Sequence, residues 1–86
     1  MTMNYKYMSI NVRKDLIKLL TGSNFGHYFK NVKPIEEADH TRSVECEFIF
    51  SVTSDARMLL NLIDEFREKS NYLVCFKYQK GILKFH

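Results

Sequence analysis

Residues 43–52 restrict the fold of this chain more than any other segment, because apolar side chains stand at every second position. These apolar positions are Val44, Cys46, Phe48, Phe50 and Val52. The positions between them carry Ser43, Glu45, Glu47 and Ser51, with Ile49 as an apolar exception. A period of two is that of a β-strand with two different faces. We therefore predict a strand in an antiparallel sheet that is covered on one face only.

Two other segments have the apolar spacing of a helix. The first contains Leu16, Ile17, Leu19 and Leu20, and Gly22 follows where a glycine commonly ends a helix. The second contains Leu59, Leu62, Ile63 and Phe66, spaced i, i+3, i+4, i+7. Both patterns predict amphipathic helices that pack one apolar stripe on a sheet.

Further strands complete the pattern. Alternation predicts a strand over Tyr5–Val12, and Gly26–Ile35 is expected to be extended, with Pro34 favouring an edge position. Glu36–Thr41 is a polar hairpin loop. Tyr72–Tyr78 and Ile82–Phe85 are predicted strands on either side of a tight turn.

The resulting order is β-α-β-β-α-β with a possible extra C-terminal strand. It predicts an α+β fold of the split βαβ (ferredoxin-like) type, an antiparallel sheet with both helices on one face. An α+β domain with a different strand order is the alternative. At 86 residues the chain is expected to be one domain, 1–86.

The sign of the charge changes along the chain. Residues 1–34 carry six basic side chains against one acidic, residues 35–68 carry nine acidic against three basic, and residues 69–86 carry four lysines and no acidic residue. Such segregation favours an anionic partner at one end of the molecule. The predicted phosphate-binding patch consists of Arg13, Lys14, Lys18, Lys30 and Lys33.

Aromatic and basic residues also mix in residues 24–33. Phe25 and Phe29 are expected to anchor this segment in the core, whereas His27 and Tyr28 are candidates to stack on a base. An RNA-recognition sheet is disfavoured, because Phe48 belongs to the core face and Glu45 would repel phosphate from the other face. A dimer or partner surface is predicted at Tyr5, Tyr7 and Ile49.

No arrangement of residues predicts catalysis. Glu36, Glu37, Asp39 and His40 are consecutive or nearly so in a polar loop, and the histidines and cysteines lack metal-ligand spacing. We expect no enzyme activity and no cofactor. Two cysteines and no long apolar run favour a cytoplasmic protein with buried free thiols and no membrane contact.

The leading hypothesis is therefore a small accessory or regulatory protein that binds RNA or single-stranded nucleic acid electrostatically, as a homodimer. The alternative is a regulator or inhibitor that docks its sheet face or an edge strand on a protein partner.

Overall fold

The computed structural model describes residues 8–39, 41–49 and 53–86, and this part of the chain forms two helices and four strands. In chain order they are α1 (Ile10–Thr21), β1 (Lys30–Glu36), β2 (Arg42–Glu47), α2 (Thr53–Ser70), β3 (Phe76–Gln79) and β4 (Ile82–Phe85). The strands form one antiparallel sheet in the order β1-β2-β4-β3. The predicted α+β class with two helices and an antiparallel sheet is confirmed.

The predicted strand over Tyr5–Val12 is wrong at its C-terminal end, because helix α1 begins at Ile10. Ser9 caps this helix, with its hydroxyl accepting a hydrogen bond from the Val12 N–H at 3.0 Å. Such a cap satisfies a first-turn amide that has no partner within the helix. Met8 precedes the helix and is fully buried, as is Leu16 within it. The helical spacing of buried residues therefore begins two positions before the first residue of α1. Tyr5 to Tyr7 lie outside the described residues.

Both helices and one face of the sheet build a single core. Leu16 and Leu20 come from α1, and the predicted stripe of α2 is buried in full. The strands contribute Val44, Cys46, Leu83 and Phe85. The alternate residues of β2 and β4 therefore form the other face of the sheet. We call the face of the sheet that packs into the core the covered face, and the opposite face the open face.

The C-terminal hairpin determines the strand order. Lys80 and Gly81 both have positive φ, 52° and 82°, which is the conformation that a two-residue type I′ turn requires. The predicted tight turn is thus confirmed, and β4 returns beside β3. Its other side pairs with β2. In the ferredoxin-like arrangement a strand that precedes α1 occupies this central place, so that strand order is not confirmed.

Neither helix in the described part of the chain is long and apolar enough to cross a membrane.

Candidate binding surfaces

Arg13, predicted to bind phosphate, is engaged within the fold. One Nη donates to the Ile35 carbonyl at 3.2 Å, and the other contacts the Glu36 carboxylate, also at 3.2 Å. Only 14% of the Arg13 side chain is exposed. This guanidinium joins α1 to β1.

The four predicted lysines are exposed but lie on two different layers. Lys14 and Lys18, four residues apart, share one side of α1. Lys30 and Lys33 lie on β1, where their cross-strand partners are Glu47 and Glu45. The Lys33 ammonium lies 3.6 Å from the Glu45 carboxylate, on the open face and away from α1. The structure thus brings Lys14 and Lys18 together and separates them from Lys33.

The turn after α1 presents the two predicted stacking residues. His27 is exposed and its ring lies 4.1 Å from that of Tyr28, at an interplanar angle of 37°. Tyr28 is half-buried against the core. Phe29 is buried and stacks on Phe48 with ring centroids 5.0 Å apart, which confirms its predicted anchoring role. His27 is therefore the more accessible of the two rings.

Of the three residues predicted to form a dimer or partner surface, the structure describes one. Ile49 is 77% exposed, whereas Tyr5 and Tyr7 lie outside the described residues. The prediction that both thiols are buried is wrong for Cys75, which is exposed. Cys46 is buried as expected, and burial together with the nearby Glu45 charge raises the pKa of its thiol to about 12.

The open face carries a shallow groove with a volume of about 880 Å³, and charged side chains line much of it. Lys84 contacts the Glu37 carboxylate, which also accepts a hydrogen bond from the Ser43 hydroxyl at 3.0 Å. These bonds, the one from Lys84 first, lower the pKa of Glu37 below its ordinary value of 4.5. Lys77 and Lys80 line the same groove and have no ion-pair partner among the described residues. No group of possible metal ligands occurs in the described part of the chain.

The strand register aligns four charges across this face. Lys33 pairs with Glu45, Glu45 with Lys84, and Lys84 with Lys77. We call this set the charge row. Along the strand order it reads positive, negative, positive, positive, and it ends at the edge strand β3.

The two edges of the sheet differ. At the β1 edge, the Glu37 N–H donates to the Thr41 carbonyl. Because every second residue of an antiparallel strand bonds toward its partner, the nitrogen of Pro34, three residues earlier, points away from β2. Proline has no N–H, and a bulge with Asn31 at φ 54° irregularly bends the same strand. Both features block the addition of another strand. The predicted edge position of Pro34 is confirmed.

The β3 edge has neither feature among its described residues. Cys75 and His86 exchange both backbone hydrogen bonds, each at 2.8 Å. By alternation, Lys77 and Gln79 also bond toward β4, and Phe76 and Tyr78 direct their N–H and C=O groups outward. The N–H and C=O of Phe76 have no hydrogen-bond partner among the described residues and are thus available to an extended partner.

Apolar side chains flank the same edge. Phe76 is 36% exposed beside buried Phe85, with ring centroids 6.5 Å apart, and Leu73 just before the strand is 54% exposed. Tyr78 holds the strand to the core, since its hydroxyl donates to the Phe48 carbonyl at 2.7 Å. The edge strand is therefore anchored on one side and open on the other.

Sequence reasoning placed Phe76 and Tyr78 inside a predicted strand and did not identify them as an exposed edge. The available signal was the absence of proline from residues 72–86, in contrast to Pro34 on the first hairpin. No family model, curated protein or solved structure matches the chain.

Proposed function

We propose that this chain is a non-catalytic binding domain that recognises an extended segment of another protein by pairing it, as an additional strand, with β3. The observation that carries the proposal is the difference between the two edges of the sheet. Pro34 blocks one edge, whereas at the other Phe76 directs outward an N–H and a C=O that have no partner among the described residues. Strand addition draws affinity from such main-chain hydrogen bonds and specificity from alternate side chains.

The energetics suit a modest, reversible interaction. Each backbone hydrogen bond contributes about 0.5–1.5 kcal/mol net, and Phe76 offers one donor and one acceptor. Burial of the exposed part of Phe76 and of Leu73 adds apolar area. Because Tyr78 is already tied to the core, little of the binding free energy is spent on ordering β3.

A matched pair of variants at Phe76 tests the proposal. Phe76→Ala and Phe76→Pro both remove the ring, but only proline also removes the outward N–H. Pro34 occupies the equivalent kind of position on β1, so the sheet accommodates proline at an edge. We expect peptides selected from a random library on the unmodified chain to bind Phe76→Ala and to lose binding to Phe76→Pro. Equal binding to both variants would contradict strand addition.

Hydrogen exchange on the unmodified chain gives a second measurement that does not depend on how a variant folds. A bound strand accepts a hydrogen bond from the outward Phe76 amide, so a selected peptide is expected to slow exchange at Phe76. The amide of Lys33, on the opposite edge strand, is the control and is expected to be unchanged. Protection confined to other regions would refute the proposed site.

A second candidate function is the binding of RNA or single-stranded nucleic acid, with the chain acting as a homodimeric accessory or regulatory protein. Lys14 and Lys18 favour it, since they share one side of α1 and have no ion-pair partner among the described residues. His27 lies exposed after the same helix, and Ile49 offers an apolar contact for a dimer. Arg13 and Lys33 contribute less, because each already has a carboxylate partner.

Binding to labelled oligouridylate across a salt series tests this candidate. Phosphate contacts predict an affinity that falls steeply with salt, and the charge-reversal pair Lys14→Glu with Lys18→Glu is expected to abolish it. Absence of binding at about 50 mM salt, where screening is weak, would exclude it. Light scattering on the same samples separates a dimer from a monomer of 10.2 kDa.

A further inference from the structure

We infer that the extended segment that pairs with β3 alternates acidic and apolar side chains, and that one of its carboxylates lies opposite Lys77 on the open face. This inference rests on the proposed strand addition and specifies the chemistry of the partner. It follows from the charge row on one face of the edge and from the partly exposed Phe76 ring on the other.

Lys77 is the cation of the charge row that lacks a partner. Lys33 pairs with Glu45 at 3.6 Å, and Lys84 contacts Glu37. Lys77 has Lys84 directly across the ladder and no ion pair among the described residues. Like charges in direct cross-strand positions are destabilising, and opposite charges are stabilising. A carboxylate one strand beyond Lys77 would give this lysine an opposite charge on the side away from Lys84.

The backbone geometry brings such a carboxylate close. Lys77 bonds toward β4, so it would form a non-hydrogen-bonded pair with the residue opposite it on an added antiparallel strand. The Cα atoms of such pairs lie about 4.5 Å apart, with side chains closer together than in bonded pairs. Lys80, in the adjoining turn, adds a second cation to the same groove. Acidic side chains are therefore favoured on the open face of the incoming strand.

The residues next to them along that strand would face the covered side. Phe76 is 36% exposed there, although its neighbour Phe85 is buried. An apolar side chain from the partner would cover this surface, whereas a charged one would lose hydration against it. The expected partner sequence thus has a period of two, acidic on one side and apolar on the other.

A second copy of this chain fits the edge poorly. Self-pairing of two β3 strands around Lys77 sets Lys77 against itself, a like-charge pair. Pairing around Phe76 sets Tyr78 against Val74, whose N–H already donates within the chain at 3.0 Å. Pairing around Tyr78 sets Phe76 against Lys80, which has a left-handed turn conformation with φ 52°. The edge is therefore better suited to a different chain.

Nucleic acid also fits this face poorly. Glu37 and Glu45 stand beside Lys84 in the groove, and both carboxylates would face an incoming phosphate backbone. Among the described residues that line the groove, none is Phe, Tyr or Trp, and His86 supplies the one ring on which a base could stack. Opposite charges in alternation match a polypeptide strand better than a uniformly anionic polymer.

Three extended peptides of equal length test the inference, in which valine alternates with glutamate, glutamine or lysine. We expect the glutamate peptide to bind the unmodified chain about tenfold more tightly than the lysine peptide, since an attractive pair replaces a repulsive one. Lys77→Glu is expected to reverse this order. Lys14→Glu makes the same charge change on α1 and is expected to leave the order as in the unmodified chain.

The outcomes separate this inference from the proposed function. Equal affinity for all three peptides, with binding still lost in Phe76→Pro, would overturn the acidic preference and leave strand addition intact. Peptide binding that is insensitive to Phe76→Pro would overturn both. Oligouridylate binding that Lys77→Glu abolishes and Lys14→Glu spares would assign the edge to nucleic acid and overturn the inference. Self-association of the chain that Phe76→Pro abolishes would assign the β3 edge to a second copy and would also overturn the inference.

Discussion

Arg13 offers a test of whether a predicted binding residue instead stabilises the fold. The substitution Arg13→Met keeps most of the apolar stem and removes the guanidinium. Its bond to the Ile35 carbonyl, at 3.2 Å and partly buried, is a hydrogen bond from a charged donor, worth about 1.5–3 kcal/mol. The contact with Glu36 adds less, about 0.2–1 kcal/mol, since 66% of that side chain is exposed. We expect a total loss of about 2–4 kcal/mol.

Thermal and urea unfolding, followed by far-UV circular dichroism, measure this loss. A domain of this size loses about 4–8 °C in Tm for each kcal/mol, so the expected decrease for Arg13→Met is about 8–30 °C. Lys14→Met is the matched control, because Lys14 is exposed and its change is expected to stay within about 0.5 kcal/mol. Glu36→Gln keeps an acceptor for Arg13 and removes the charge, and it should fall between the two.

Equal midpoints for Arg13→Met and Lys14→Met would refute the reasoning. They would mean that the contacts to Ile35 and Glu36 do not stabilise the fold and that Arg13 is available to a ligand. In that case Arg13→Met is expected to weaken oligouridylate binding without any change in stability. A large loss of stability with unaltered nucleic-acid binding, measured well below the unfolding midpoint, assigns Arg13 to the junction of α1 with β1.

Three further predictions concern single side chains. Tyr78→Phe removes the hydroxyl that donates to the Phe48 carbonyl at 2.7 Å, and we expect urea unfolding to show a loss of about 1 kcal/mol. A thiol reagent such as Ellman's is expected to label exposed Cys75 rapidly. Cys46 is buried and its pKa is raised to about 12, so it is expected to react only after unfolding in urea. Two rapidly reacting thiols in the native protein would contradict this prediction. The pKa of Glu37 is lowered in the folded state. The ionised carboxylate therefore stabilises the fold fully above pH 4.5, and this stabilisation is lost as the pH falls through the folded-state pKa. Glu37→Gln is therefore expected to flatten the decrease in urea midpoint below pH 4.5, and an unchanged pH profile would argue against this linkage.

Much of the secondary structure follows from local sequence. The stripe at Leu59, Leu62, Ile63 and Phe66 predicted α2 correctly, because a helical period depends only on residues within two turns. Val44 and Cys46 predicted the covered face of β2 for the same reason. The tight turn at Lys80-Gly81 was also predictable, since a left-handed conformation favours glycine.

Local sequence misled at the start of α1. The residues Met8, Ile10 and Val12 alternate with polar ones and therefore resemble a strand. In the folded chain Met8 is fully buried while Ile10 is 49% exposed, because the Ser9 cap turns this stretch into a helix whose stripe continues to Leu16. A short run of apolar residues is compatible with both periods, and contact with the rest of the core selects between them.

The sequence by itself determined the α+β class, the one-sided sheet and the segregation of charge along the chain. The tertiary structure alone decided which residues face a partner. Arg13 became a link between two elements, Lys33 was separated from Lys14, and Phe76 came to lie at an edge with its backbone groups directed outward. The reason is that helical and strand periods are properties of neighbouring residues, whereas an edge exists only once the order β1-β2-β4-β3 has been set by pairing between distant parts of the chain.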